Sequence, residues 1–125
     1  KKIDQGKLMN ALGHMAAGIT GGYDSAKHFL QYIDADESVH PSISHFPFIV
    51  LRAENSNKLR TLRAEAQATG IEFTDFTDTM TGGTSTDQLQ KTKAKKDEDL
   101  EYFGVCLFGA SKDIDPLTKK FSLWK

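Results

Sequence analysis

Three predicted elements follow one another without interruption in the middle of this chain, and they limit its fold more than any other feature. Residues 46–51 form a continuous apolar run, short enough for a strand buried on both faces. A helix then follows from a cap at Asn55 or Ser56 to a stop at Gly70. Residues 71–76 begin with alternating apolar and polar side chains, as in a strand with one buried face. This succession predicts a right-handed parallel crossover in an α/β domain.

Further elements are predicted on both sides of this block. They are a helix over about 6–19, a helix from Ser25 with Ala26, Phe29, Leu30 and Ile33 at helical spacing, a short helix after Ser85 or Thr86, a central strand at 103–109, a helix starting at Asp115-Pro116, and a last strand at 121–124. Residues 35–45 are predicted to be a loop. The region 77–102 is the least ordered in pattern, and its length indicates that it is functional or mobile.

Composition excludes several classes of protein. The 125 residues are predicted to form one domain, 1–125, and their net charge of −1 provides no overall positive field for nucleic acid or an anionic membrane. The longest apolar run is far too short to span a bilayer, so we expect no membrane partner. Cys106 is the only cysteine, which excludes an intrachain disulfide and a thiolate zinc site. A reducing, cytoplasmic location and a structural role for Cys106 in the core are therefore expected.

Two groups of basic residues could still form a local patch for an anionic partner. The first contains Arg52, Lys58, Arg60 and Arg63. The second is the lysine run at 91–96, which acidic residues follow at once. Charge blocks that nearly cancel are typical of a solvated helix or loop, so neither group predicts nucleic-acid binding by itself.

Lys7 and His14 give the clearest chemical signal in the sequence. They lie seven residues apart in a predicted helix of mostly small and apolar residues. Because seven residues is close to two turns, they share one stripe with Asn10 and Ala11. This stripe is either a surface that a ligand approaches closely, or a solvated lysine beside a histidine that is half inside the core.

Two weaker constellations also carry polar chemistry. Gly82 and Gly83 lie in a threonine-rich turn before a predicted helix, a pattern that suits either an anion-binding nest or a simple turn. The predicted loop at 35–45 and the region before it contain six conceivable metal ligands: His28, His40, His45, Asp34, Asp36 and Glu37. No two of these residues have a convincing ligand spacing, so we expect neither a metal nor a cofactor.

Three stretches of the chain carry a resemblance to a known fold. Gly6-Lys7 is followed by His14-Met15-Ala16, residues 48–71 contain the strand, helix and glycine described above, and residues 103–124 close the chain. In this order they resemble the peptidyl-tRNA hydrolase II fold, and particularly an uncharacterised, mainly bacterial family of unknown function that shares it. The resemblance implies a three-layer α/β sandwich with a small mixed four-stranded sheet. That fold begins with a strand, whereas residues 1–5 are short and polar, so either the natural protein has a strand before residue 1, which we favour, or the sheet is one strand smaller.

The resemblance also implies a catalytic set that is only partly present. Lysine and histidine are retained as Lys7 and His14, and Asp78 is the nearest match to the hydrolase aspartate. Ala11 stands where the hydrolases have a glutamine, and Gly104 stands where they have a threonine. If the activity were kept, Lys7 would supply positive charge, and Asp78 would activate a water while His14 holds the geometry.

Three functions are consistent with the sequence. The preferred hypothesis is a protein of unknown biochemical function that binds an anionic ligand near Lys7, with Asn10, Gly82 and Gly83 contributing. The alternative is an acyl-ester hydrolase acting on peptidyl-tRNA, which makes an anionic small molecule or tRNA the expected partner. The third is an interaction protein, and the sheet edge near Trp124 makes a homodimer expected under all three hypotheses.

Overall fold

The computed structural model describes residues 2–21 and 29–125, and these form an α/β domain of helices and two-stranded antiparallel sheets. Its helices are α1 (Gln5–Thr20), α2 (Ser56–Thr69), α3 (Ser85–Ala94) and α4 (Ser111–Thr118). Its strands are β1 (Phe29–Ile33), β2 (Val39–Ser44), β3 (Leu51–Arg52), β4 (Glu72–Thr77), β5 (Tyr102–Phe108) and β6 (Ser122–Leu123), with short 3-10 turns at Asp78–Met80 and Asp97–Asp99. None of the helices in these two ranges is long and apolar enough to cross a membrane.

The β4–β5 sheet is the centre of the domain, with α1 on one face and α2 on the other. Side chains alternate across β4, so Thr74 donates from Oγ1 to the carbonyl of Met15 on α1 at 2.8 Å. The next residue, Asp75, accepts from Arg63 on α2. The buried core on the α1 side consists of Ala11, Met15 and Phe76, with Met80, Phe103 and Cys106 packed against it.

The helix α2 forms as the sequence predicts. Asn55 caps it by accepting from the Lys58 N–H, and Gly70 ends it in the left-handed region with φ of 72°. Leu62 and Ala66 are buried against the sheet. The first helix and the strands at β4 and β5 are likewise confirmed within two residues of their predicted bounds.

The predicted parallel crossover is not present among the described residues. Of the apolar run at 46–51, only Leu51 enters a strand, and β3 pairs antiparallel with β6 while β4 pairs antiparallel with β5. The run is not buried, since Phe48 is 56% exposed and Ile49 is 66% exposed. An apolar run becomes a buried strand only where neighbouring strands cover it, and here only β6 is alongside. The mixed four-stranded sheet is therefore replaced, in these ranges, by two-stranded antiparallel sheets.

The helix predicted from Ser25 is wrong over Phe29–Ile33, which is strand β1; its first residues, 25–28, lie outside the described residues. The loop predicted at 35–45 contains strand β2, which pairs antiparallel with β1. The turn between them decides this outcome. The carboxylate of Asp34 accepts from the N–H groups of Asp36 and Ser38, which closes a hairpin that helical spacing alone does not reveal.

Near the C-terminus, α4 begins at Ser111, four residues before the predicted start at Asp115. The carbonyl of Ala110 accepts from the N–H groups of Asp113 and Ile114, so the first turn forms ahead of the proline. Pro116 lies inside the helix. Because proline has no backbone N–H, this short helix lacks one backbone hydrogen bond there. The helix predicted after Ser85 or Thr86 is confirmed as α3, and the final strand is confirmed in part as β6.

Candidate functional site

A cleft of about 660 Å³ lies between α1, β4 and the segment that leads into α3. Met15, Phe76 and Met80 supply apolar surface within it. The remaining lining is mostly polar and uncharged, and it includes Asn10, His14, Thr74, Thr81, Ser85 and Gln88. A concave site with this mixture can hold a small molecule and fix its orientation by hydrogen bonds.

The wall formed by α1 presents Asn10 and His14, which are one turn apart on the same side of the helix. Asp4 caps this helix by accepting from the N–H of Lys7 at 3.2 Å. The imidazole of His14 stacks on the buried ring of Phe76, with ring centroids 5.7 Å apart. This contact holds the ring over the cleft floor while its nitrogens remain available to a ligand, because His14 itself is exposed.

The opposite wall depends on two glycines with positive φ. Gly82 and Gly83 have φ of 74° and 68°, which lets the chain turn sharply before α3. The side chain of Gln88 donates to the carbonyl of Gly82 at 3.2 Å, so the first part of α3 supports the turn. A capping box between Thr84 and Asp87 closes the helix end, and these hydrogen bonds hold the pKa of Asp87 below its usual range.

A chain of threonine hydroxyls fixes α3 against the end of β4. Thr77 and Thr79 are buried, and their hydroxyl oxygens lie 2.9 Å apart. Thr79 continues to the hydroxyl of Thr92 on α3 at 2.8 Å, and Thr92 donates to the carbonyl of Gln88. The position of Gln88 at the cleft is therefore determined by a polar network inside the domain.

Asp75 belongs to the cleft lining, but its carboxylate is directed to the other face of the sheet. Thr74 contacts α1 and Phe76 stacks on His14, so the alternation of β4 turns Asp75 toward α2. There it accepts from Arg63 Nε at 2.7 Å. The side chain of Asp75 is thus part of a structural ion pair and does not face His14.

Asp78 does not line the cleft, because two hydrogen bonds hold its carboxylate at the start of β5. Lys95 Nζ donates to one oxygen at 2.7 Å, and the N–H of Glu101 donates to the other at 3.0 Å. Burial would raise the pKa of Asp78, but these donors outweigh burial and hold the pKa below its usual value. The carboxylate therefore connects the 3-10 turn, the end of α3 and β5.

Asp78→Asn is expected to lower the free energy of unfolding at neutral pH by about 1–2 kcal/mol, since a hydrogen-bonded charge is replaced by a neutral amide. The folded-state pKa of Asp78 is depressed, so its contribution is present above the unfolded-state pKa of about 3.9 and is lost as the pH falls through the folded-state value. Denaturant unfolding of both proteins between pH 7 and pH 2 measures this. A difference that persists unchanged at pH 2 would contradict the ion-pair origin.

Three of the residues singled out from the sequence come together here. Asn10, His14 and Gly82 line one cleft, although Gly82 is far from the other two in the chain. Lys7 lies one turn before Asn10 on the same helix and is exposed. Its ammonium group has no ion-pair partner within residues 2–21 and 29–125.

Other residues are placed differently from the sequence-based set. Gly83 is outside the cleft lining and packs against Asp87, where a Cβ would meet the carboxylate at 2.9 Å. Thr74 and Gln88 line the cleft without having been singled out. The sequence does contain an indication of Gln88, because the helix predicted after Ser85 places this residue in its first turns. No sequence pattern indicates Thr74, because its position at the cleft depends on how α1 crosses the sheet.

Neither basic group forms an open patch at the cleft. Arg60 donates to the carbonyls of Asp97 and Leu100 and lies over the Tyr102 ring, while Arg63 is paired with Asp75. Both guanidinium groups therefore stabilise the domain.

The described ranges contain no group of three metal-ligating side chains, and His28 lies outside them. Burial raises the pKa of the Cys106 thiol, as expected for a core residue.

Comparison with known proteins places the chain in a family. A family model described as "Protein of unknown function (DUF2000)" matches residues 1–125. The chain belongs to the DUF2000 family. A solved structure of a protein of unknown function from Agrobacterium tumefaciens strain C58, Atu0240, has a TM-score of 0.84 and 17% sequence identity, and the alignment covers 99% of this chain and 91% of that one. No curated protein matches, so the DUF2000 assignment and the shared fold bring no known activity with them.

Proposed function

We propose that this DUF2000 protein binds a small anionic ligand in the cleft, with the anionic group near Lys7 and His14. The observation that carries the proposal is the convergence of Asn10, His14 and Gly82 on one cleft. Lys7, which forms no ion pair within the described residues, is one turn before Asn10 on the helix that forms the cleft wall. The ammonium of Lys7 supplies a compact positive charge, and the amide and imidazole groups supply directed hydrogen bonds.

The orientation of the nearby carboxylates supports an anionic rather than a cationic ligand. Asp75 is turned to α2, Asp87 is occupied by the Thr84 cap, and Asp78 is bound by Lys95. The cleft therefore presents neutral donors and acceptors, without a free carboxylate side chain that would repel an anion. A ligand with one phosphate or carboxylate group and a polar neutral part matches this lining.

The acyl-ester hydrolase alternative has less support from the geometry. Water activation by Asp78 would require its carboxylate at the cleft beside His14, whereas Lys95 and Glu101 hold it at the start of β5. We infer that the scaffold is a variant of the peptidyl-tRNA hydrolase II fold, a three-layer sandwich, in which the catalytic set of that fold is only partly present. The order of α1, α2, β4, β5 and α4 supports this inference.

Lys7→Ala is expected to weaken binding of adenosine monophosphate about fivefold, equivalent to about 1 kcal/mol for an exposed charge. Isothermal titration calorimetry of the whole chain at low salt measures the dissociation constant. His14→Gln tests the second group, and it should weaken binding while leaving thermal unfolding nearly unchanged, because the side chain is exposed.

Lys112→Ala is the matched control. Lys112 is an exposed lysine on α4 that does not line the cleft, so its removal changes the net charge equally but should leave the affinity unchanged. Equal weakening by Lys112→Ala and Lys7→Ala would mean that binding responds only to net charge. Absence of heat with both adenosine monophosphate and inorganic phosphate would overturn the proposed function.

A further inference from the structure

Aromatic rings connect the core of the domain to the wall of the cleft. The ring centroids of Phe103 and Phe76 are 6.3 Å apart, and those of Phe76 and His14 are 5.7 Å apart. Phe76 is buried and Phe103 packs against the same core cluster, whereas His14 is exposed and lines the cleft. The planes of His14 and Phe76 differ by 28°, so one face of the imidazole lies against the core ring. The core therefore holds a flat ring at the cleft surface.

The other face of the His14 ring is available to a ligand. It has no aromatic neighbour among the residues that the structure describes. Met80 also lines the cleft and packs against the core cluster, and a methionine thioether makes favourable contacts with aromatic rings. Histidine is one of the side chains on which nucleic-acid bases stack. A flat heteroaromatic ring in the cleft thus finds both a stacking surface and apolar contact.

The position of Lys7 favours an elongated ligand. Lys7 and His14 are seven residues apart on α1, which separates their backbones by about 10 Å along the helix axis. A ligand with a ring at one end and an anionic group at the other matches this separation better than a compact anion does. The ring then lies at His14, and the anionic group lies toward the start of α1.

Gln88 selects the substituents that such a ring can carry. Its Nε2 donates to the carbonyl of Gly82 at 3.2 Å, and because a carbonyl only accepts, this bond fixes the orientation of the amide. The side-chain oxygen of Gln88 forms no hydrogen bond within residues 2–21 and 29–125. Gln88 lines the cleft, so this oxygen is an acceptor for a donor group on the ligand. An amino group on the ring is a donor of this kind.

We propose that the ligand of the cleft is a nucleoside monophosphate whose base carries an amino group. The base stacks on His14, its amino group donates to Gln88 Oε1, and the phosphate lies toward Lys7. This inference rests on the proposed function and names the class of ligand. His14 gives the base one face of its ring, while the nitrogens at the ring edge remain available to the phosphate. The cleft volume of about 660 Å³ is within the range of about 300–1,000 Å³ that small-molecule sites have.

Comparison of adenosine monophosphate with ribose 5-phosphate tests the stacking, because the second compound keeps the phosphate and lacks the base. We expect wild type to bind adenosine monophosphate about fivefold or more tightly. His14→Phe keeps a flat ring and should retain this preference, whereas His14→Gln should abolish it. His45→Gln is the matched control, since His45 is exposed and does not line the cleft. Isothermal titration calorimetry of the whole chain measures each dissociation constant.

Purine riboside 5′-monophosphate tests the role of Gln88, because it differs from adenosine monophosphate only by lacking the amino group. We expect wild type to bind it about threefold or more weakly than adenosine monophosphate, as one hydrogen bond is lost. Gln88→Met should bind the two nucleotides equally. A general disturbance of the Gly82 turn would weaken both nucleotides and leave their ratio unchanged, so the ratio isolates the hydrogen bond.

The failure of this inference is distinct from the failure of the proposed function. Equal wild-type affinities for adenosine monophosphate and ribose 5-phosphate would overturn base stacking while the anion site stands, and so would a preference that His14→Gln retains. Equal wild-type affinities for the two nucleotides would overturn recognition of the amino group. Absence of binding by any of these compounds would overturn the proposed function itself. Circular dichroism shows whether each variant is folded, and the wild-type comparisons decide the question if one is not.

Discussion

Gly104→Val is expected to lower the free energy of unfolding by about 3 kcal/mol, because α1 lies directly on this position of β5. A Cβ built on Gly104 would be 2.5 Å from Met15 Cε and 3.2 Å from its sulfur. Met15 is buried beside Ala11 and Phe76, so its side chain has little room to move away. Denaturant unfolding monitored by circular dichroism measures the loss.

Met15→Ala and Gly13→Ala separate this crowding from a general effect of substitution. If the crowding is the cause, Gly104→Val should cost much less when Met15→Ala has removed the obstructing side chain, which a double-mutant cycle quantifies. Gly13→Ala is the matched control, since a Cβ at Gly13 meets nothing within 4 Å and alanine favours the helix by about 0.5–1 kcal/mol. Purely additive losses in the cycle would disprove a direct contact between Gly104 and Met15.

Arg63→Ala is expected to lower the free energy of unfolding by about 2 kcal/mol, because it leaves the carboxylate of Asp75 unpaired beneath α2. The side chain of Asp75 is 15% exposed, and that of Arg63 is 31% exposed. Arg63 also lies over the Phe73 ring at 5.4 Å, a contact that alanine removes. Urea titration at pH 7 measures the change.

The double variant Arg63→Ala with Asp75→Ala should recover part of this loss, because no buried charge then remains without a partner. Arg52→Ala serves as the control, since Arg52 is an exposed arginine whose removal should change stability by less than about 0.5 kcal/mol. Equal losses for Arg52→Ala and Arg63→Ala would contradict the structural role of the Arg63 ion pair.

The sequence was sufficient to predict elements whose first and last residues are typical start and stop residues. The helix α2 has a capping asparagine, buried Leu62 and Ala66, and a terminal glycine, so local chemistry determines it. The segment Phe29–Ile33 has helical spacing but forms a strand, because its partner β2 lies beyond a turn that Asp34 closes. Spacing within a segment does not report the partner that a distant turn brings to it.

The candidate site could be predicted only where one helix carries it. Asn10 and His14 share a stripe of α1, so helical periodicity was sufficient to place them together. The fate of Asp78 depended on Lys95, which belongs to a lysine run that the sequence alone describes as solvated. Packing determines which ion pairs form between distant segments. The sequence could therefore suggest that the Asp78 carboxylate lies at the site, but it could not show that Lys95 holds this carboxylate elsewhere.

Residue-resolved amide shifts on titration with inorganic phosphate and adenosine monophosphate test the binding cleft most directly. We expect saturable shifts in two-dimensional NMR spectra for the amides of Lys7, Asn10, His14 and Gly82, and none for Lys112 on α4. A flat response to both probes, or shifts that leave the amides of Asn10, His14 and Gly82 unchanged, would contradict ligand binding in the cleft formed by α1, β4 and the Gly82 turn.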